Sequence, residues 1–192
     1  MRTLEERLRG SLEPILEQID PARAGLSTYS DMPCALFVYD PEEEFRLRTQ
    51  VAMLETRLSQ KGKRIRRISL AECLDEAMRS QRPLDQWFDA ERSTGVEVVV
   101  ETVHAVLWEY SPLVDHVAAR MPEDPDPTRD VVLILRAGAL FPMYRTSALL
   151  EQLKGHVHVP TVLFYPGRLD GGSGLSFMGV LDPEHNYRLK VF

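Results

Sequence analysis

The chain has 192 residues, 44% hydrophobic and 27% charged, with a net charge of −6. That length holds one domain, or one domain with a small appendage, and can bury a full core; the composition is that of an ordinary soluble globular protein. The negative balance opposes broad, nonspecific nucleic-acid binding. No apolar run approaches the ~20 residues of a membrane span. The opening residues MRTLEE lack the apolar stretch of a secretory signal. Cys34 and Cys73 stand alone with no C-x-x-C pair, so the expectation is two buried thiols in a cytoplasmic protein rather than a disulfide framework.

Leu4, Leu8, Leu12, Leu16 and Ile19 recur at near-helical spacing, with Thr3 and Glu6 placed as a capping box. Gly10, Ser11 and Pro14 predict a split into two helices, the second capped by Ser11. Residues 20–33 read as a loop, and 35–39 as a short buried strand. Asp40, Pro41 and Glu43 form a helix start: a cap, a first-turn proline and the third member of a box. Leu47, Val51, Leu54 and Leu58 then give one apolar face, ended by Gly62. Residues 64–68 read as an edge strand, and Ser69 with Glu72 as the cap of a helix reaching about Ser80.

Residues 84–91 read as helical. The run 96–110 is β-branched, which favours strand. Its apolar residues Val96, Val99, Val100, Val103, Val106 and Leu107 nevertheless share one helical face, so a helix is predicted. A helix follows from Ser111 to about Arg120, then an acidic, proline-rich loop over 121–128. The run 130–136 is a strand buried on both faces. A turn over 137–142 leads to a helix over 143–153, with Pro142 in its first turn and Gly155 at its end. Residues 160–165 form a second buried strand closed by Pro166 and Gly167. This is a βαβ unit, hence right-handed and parallel. A glycine-rich turn over 168–174, a strand over 175–180 and a terminal strand over 187–192 complete the chain.

The expected fold is α/β: an open, mostly parallel sheet flanked by helices in a Rossmann-like three-layer arrangement, with a C-terminal hairpin strand pair. It is one domain over 1–192, with an N-terminal helical segment at 1–30 and a helical insertion at about 84–120.

Ligands of open α/β sheets bind at the carboxyl ends of the strands. The candidate rim site is therefore Asp40, Glu44, Arg48, Arg136, Gly138, Arg145 and Tyr165. Arginine suits bidentate contact with carboxylate or phosphate. The simpler reading is an internal set of ion pairs closing the strand ends. A candidate interaction patch is Lys61, Lys63, Arg64, Arg66 and Arg67, five cations in seven residues. Its simpler reading is a helix C-terminus that favours Lys61 and an edge strand blunted by arginines.

Complete catalytic sets do not emerge. No phosphate-loop lysine follows a strand and glycine turn. The glycine-rich stretch 171–174 precedes a strand instead of a helix. Glu101 and His104 match the Glu-x-x-His spacing of di-iron bundles, but no second copy of the motif exists. His156 and His158 share a strand face without a third ligand. The expectation is a protein without catalysis, cofactor or metal.

Five stretches in series resemble the BrxB family of bacteriophage exclusion (BREX) systems: YDPEEEFRLR at 39–48, GALFPMYR at 138–145 with Leu149, Leu150 and Leu153, PTVLFYPG at 160–167, LSFMG at 175–179 and NYR at 186–188. No match is found over 84–127. The resemblance implies a small cytoplasmic component of an antiphage system that also contains a DNA methyltransferase, a large ATPase and a PglZ-type phosphatase-like protein. It implies an adaptor, with the PglZ-type protein as first partner and the methyltransferase as second. The alternatives are a nucleotide- or anion-binding enzyme or sensor using the rim, and a DNA-contacting subunit using residues 61–67.

Overall fold

The structure is a computed structural model and describes residues 3–18, 26, 32–170, 174–184 and 189–192. Its sheet runs in the order β2 (Arg64–Ser69), β3 (Asp130–Leu135), β4 (Thr161–Asp170), β1 (Cys34–Tyr39) and β6 (Lys190–Val191), every neighbouring pair parallel. A further strand, β5 (Gly174–Phe177), pairs antiparallel with the second half of β4. Strands β1 and β3 are buried at every position, as their unbroken apolar runs require.

Alternate side chains of these strands feed two cores. Ala35, Phe37, Val131, Leu133 and Phe164 face the helices α1 (Leu4–Arg7), α2 (Glu13–Leu16) and α3 (Glu44–Gln60). Leu36, Val38, Val132, Ile134 and Leu163 face α4 (Leu70–Gln81), α5 (Leu84–Thr94), α6 (Val96–Ala105), α7 (Leu113–Ala118) and α8 (Thr146–Gln152). This is the expected open, mostly parallel sheet between two helical layers. The predicted apolar face of α3 is Leu47, Val51, Leu54 and Leu58, all buried. Each such side chain contributes about 1.5–3 kcal/mol. Arg7 knits the ends of the chain together. Its Nη2 donates to the Phe192 carbonyl at 2.7 Å and to the Val38 carbonyl, and its guanidinium lies 4.7 Å from the Phe37 ring centroid.

Several elements differ from their sequence reading. Ser11 caps nothing: α1 and α2 are joined through a π turn, Leu8–Leu12, in which the Glu13 N–H reaches back to the Leu8 carbonyl. The wider turn lets the helix continue past Gly10 and into Pro14. Thr3 and Glu6 do form the capping box. Asp40 caps, but its side chain accepts from the Glu42 N–H at 3.1 Å, over a 3-10 turn, Pro41–Glu43. Glu43 pairs with Arg46 rather than closing a box.

Helix α8 starts at Thr146, so Pro142 lies ahead of its first turn; residues 137–140 are spent on a 3-10 turn, Ala137–Leu140. Strand β4 does not stop at Pro166. It runs parallel to β1 as far as Pro166, then pairs with β5 from Gly167 onward. A Cβ at Gly167 would stand 2.3 Å from the Ser176 carbonyl oxygen and 2.5 Å from Tyr165 Cε1, so the exchange of partners needs glycine there. Strand β5 ends at Phe177, where Met178 (φ 56°) and Gly179 (φ 67°) turn the chain. Among the described residues the terminal strand is Lys190–Val191. The expected loop at 20–33, the tip of the glycine-rich turn and the start of the terminal strand lie mostly or wholly outside the described residues. Among the described residues no helix is long and apolar enough to cross a membrane.

Candidate functional site

Because β1, β3 and β4 are parallel, their carboxyl ends share one rim of the sheet. Strand β1 ends at Tyr39 and hands the chain to the Asp40 cap. One turn later Glu44 opens α3, and Arg48 follows at the i+4 position. Strand β3 ends at Leu135, and the next residue, Arg136, is held in the left-handed region at φ 64°. Non-glycine residues seldom adopt this conformation.

These pieces meet on Glu44. The Tyr39 hydroxyl donates to its Oε2, Arg48 Nε donates to Oε1 at 2.8 Å, and Arg136 Nε stands 3.7 Å from the same oxygen. Burial pushes the Tyr39 hydroxyl pKa well up, and the bond to Glu44 pushes it further. The phenol is therefore a fixed donor, with no role as a base. The Arg48 guanidinium also lies 5.0 Å from the Phe45 ring centroid.

Of the seven predicted rim residues, then, Glu44, Arg48 and Arg136 come together directly. Asp40 turns to a different partner, Arg168, whose Nη2 lies 3.0 Å from Oδ2. Arg145 forms an ion pair with Glu184 instead of joining Glu44. Tyr165 is buried, and its hydroxyl donates to the Leu175 carbonyl at 3.4 Å. Gly138 packs under Met178 and Pro166, and a Cβ there would meet Met178 Sδ at 3.3 Å. Sequence reasoning missed Tyr39, Arg168 and Glu184. Alternation along β1 and β4 is the only signal that could have aimed Tyr39 and Arg168.

The basic stretch is distributed differently from its sequence spacing. Lys61 pairs with Glu17. Lys63 is buried, and its Nζ donates to the carbonyls of Gln18 at 2.7 Å and Thr128 at 2.9 Å. Arg64 holds Asp130 with both arms, at 2.6 and 2.7 Å. Arg67 Nε lies 3.1 Å from Glu55 Oε1. Arg66 is exposed and has no ion pair among the described residues.

The remaining candidates are spread apart. His104 Nδ1 contacts the Met143 carbonyl at 2.9 Å, and its ring lies against Trp108 and Tyr144. His156 and His158 are exposed. No group of three metal-ligating side chains gathers among the described residues. Both cysteines are buried free thiols; burial pushes Cys34 up to about 12 and Cys73 to about 11, out of the range of reactive thiolates.

The family model described as BREX protein BrxB matches residues 66–191. The chain belongs to the BrxB family. A protein of Bacillus cereus (strain H3081.97) described as BREX protein BrxB is 27% identical over 193 residues, an alignment covering 98% of this chain and 96% of the relative. No solved structure matches. The family match takes in Arg136, Gly138, Arg145 and Tyr165 of the rim. Asp40, Glu44 and Arg48 fall before it, within the longer alignment to the Bacillus relative.

Proposed function

We propose that this BrxB-family chain is a non-catalytic adaptor of a BREX antiphage system, working in the cytoplasm and holding the PglZ-type phosphatase-like component. The methyltransferase is the second candidate partner. The observation that carries the reading is the state of the rim. Its cations face carboxylates of the same chain: Glu44 lies between Arg48 and Arg136, and Asp40 holds Arg168. A phosphate or carboxylate site needs donors already aimed at the ligand and not engaged elsewhere. Here an arriving anion has first to displace Glu44.

The test is co-expression of the tagged full chain with the other components of its system, followed by pull-down and by assays for nucleotide and nucleic-acid hydrolysis with and without divalent metal. Retention of the PglZ-type component without turnover is expected. Turnover that survives repurification and disappears in Arg136→Ala or Asp40→Ala overturns the reading.

A second reading, a rim that binds an anion as a sensor, is favoured by the left-handed backbone of Arg136. Such a conformation costs on the order of 1–3 kcal/mol and clusters at ligand sites. Calorimetric titration with inorganic phosphate and with ATP decides it: heat of binding lost in Arg136→Gly supports the sensor, and no heat supports the adaptor.

A further inference from the structure

Helices α5 and α6 join at Gly95 and are scarcely buried. Eleven residues of α5 bury only Trp87, and ten residues of α6 bury only Val103. A helix packed on a globular core normally buries a stripe of three to four residues in every two turns. Five of the ten large apolar side chains exposed among the described residues belong to these two helices and their continuation, the π turn Val106–Tyr110. They are Phe88, Val96, Val98, Trp108 and Tyr110, with Phe88 53% and Tyr110 68% exposed. Apolar exposure concentrated in this way marks an interaction site.

The charge of the same segment is one-sided. Residues 84–110 hold six carboxylates and one arginine, and so carry five of the chain's six net negative charges. Asp89 pairs with Arg92. The carboxylates of Asp85, Glu91, Glu97, Glu101 and Glu109 have no hydrogen bond or ion pair among the described residues. Elsewhere many carboxylates are matched within the chain: Glu13 with Arg57, Glu76 with Arg120 and Asp130 with Arg64 are examples. Glu97, Glu101 and Trp108 recur at one-turn and two-turn intervals, which places acid and indole on one side of the helix. Trp108 is held there by its rings of contact, with centroids 6.2 Å from His104 and 5.9 Å from Tyr144.

We infer that this acidic, aromatic face of the segment formed by α5, α6 and the π turn after them is a docking surface for a protein partner that presents lysine and arginine side chains on an apolar ground. Unmatched carboxylates supply the complementary charge, and Trp108 and Tyr110 offer ring faces to the partner's cations. Nucleic acid and anionic lipid are repelled by the same charge. A second copy of the chain is disfavoured, since a two-fold interface sets the patch against itself and opposes like charges. The inference rests on the adaptor reading and names the surface through which it acts.

Two variants test it independently: Glu97→Lys/Glu101→Lys/Glu109→Lys for the charge, and Phe88→Ser/Tyr110→Ser for the apolar ground. Each is checked for folding by its melting curve, and either one alone decides if the other fails to fold. The tagged full chain is co-expressed with the other proteins of its system and captured at low and high salt. The expected result is that wild type retains a component, that the charge variant retains about tenfold less of it at low salt, and that the Phe88/Tyr110 variant loses it at both salts. Equal retention by folded variants overturns the surface and leaves the adaptor reading standing. Failure of wild type to retain any component overturns both. A concentration-dependent dimer in sedimentation that the variants abolish makes the face a self-interface and also overturns the inference.

Discussion

Arg57 grips Glu13 with both arms of its guanidinium, Nε at 2.8 Å from Oε1 and Nη2 at 2.7 Å from Oε2. Glu13 sits on α2 and is only 6% exposed; Arg57 lies in the last turn of α3. The bond to Glu13 raises the Arg57 pKa, so the guanidinium keeps its charge. The pair clamps the N-terminal helices to the helix that carries Glu44 and Arg48 to the rim.

Breaking that clamp on one side leaves a buried carboxylate without its cation. Arg57→Ala is expected to cost about 3 kcal/mol, the lower part of the range for such losses because Arg57 keeps some contact with water. Removing both charges, as in Glu13→Leu/Arg57→Met, is expected to recover most of the loss. Urea denaturation followed by circular dichroism measures both. A single variant as stable as wild type shows that the pair contributes nothing net.

A pH dependence follows from Glu55. Burial lifts its carboxyl pKa above the ordinary range, while Arg67 pulls it back only in part. Arg67 Nε is 3.1 Å from Oε1, yet its N–H is not directed at that oxygen, which has no hydrogen-bond partner. Folded Glu55 therefore keeps its proton to a higher pH than the unfolded chain does. Its contribution to stability is fullest below the ordinary carboxylate range and is lost as pH rises through the lifted value. Glu55→Gln is expected to match wild type near pH 4 and to melt about a degree or two higher near pH 7. Melting curves across that range check it. A lower melting temperature at neutral pH would mean that attraction to Arg67 outweighs the cost of burial.

What the sequence makes legible follows the range of the interaction. The runs at 35–39, 130–135 and 161–165 are apolar on both faces, so buried parallel strands could be read from them directly. Glu44 and Arg48 are one helical turn apart, and their pairing follows from that spacing. Arg145 was placed near them by its distance from Gly138 along the chain, but its partner Glu184 is 39 residues away and is set by how β5 folds back. The pairing of Asp40 with Arg168 spans 128 residues and depends on β4 continuing past a proline that reads as a stop. In α6, periodicity gives the helix, and Val96, on its predicted apolar face, is 58% exposed. A repeat of valines fixes which side is apolar, and says nothing of whether anything covers that side.

The basic stretch at 61–67 shows the same limit and yields the last expectation. Five cations in seven residues suggest a surface able to neutralise about five phosphates, with a log–log salt slope near −4 to −5. The structure changes that sum. Lys63 is buried on backbone carbonyls, and Lys61, Arg64 and Arg67 are matched by Glu17, Asp130 and Glu55. Only Arg66 stands exposed without an ion pair among the described residues. One uncommitted cation gives a slope of about −1, too little for measurable affinity against a net charge of −6. A fluorescence titration with duplex DNA at two salt concentrations is therefore expected to show no binding near physiological salt. Arg66→Glu is expected to leave that result unchanged, because it removes a single contact. Micromolar binding that weakens steeply with salt, and is abolished by Arg64→Glu/Arg66→Glu/Arg67→Glu, would show that phosphates pull these arginines off their carboxylates. The stretch would then be a DNA-contacting edge, and the adaptor reading would yield to it.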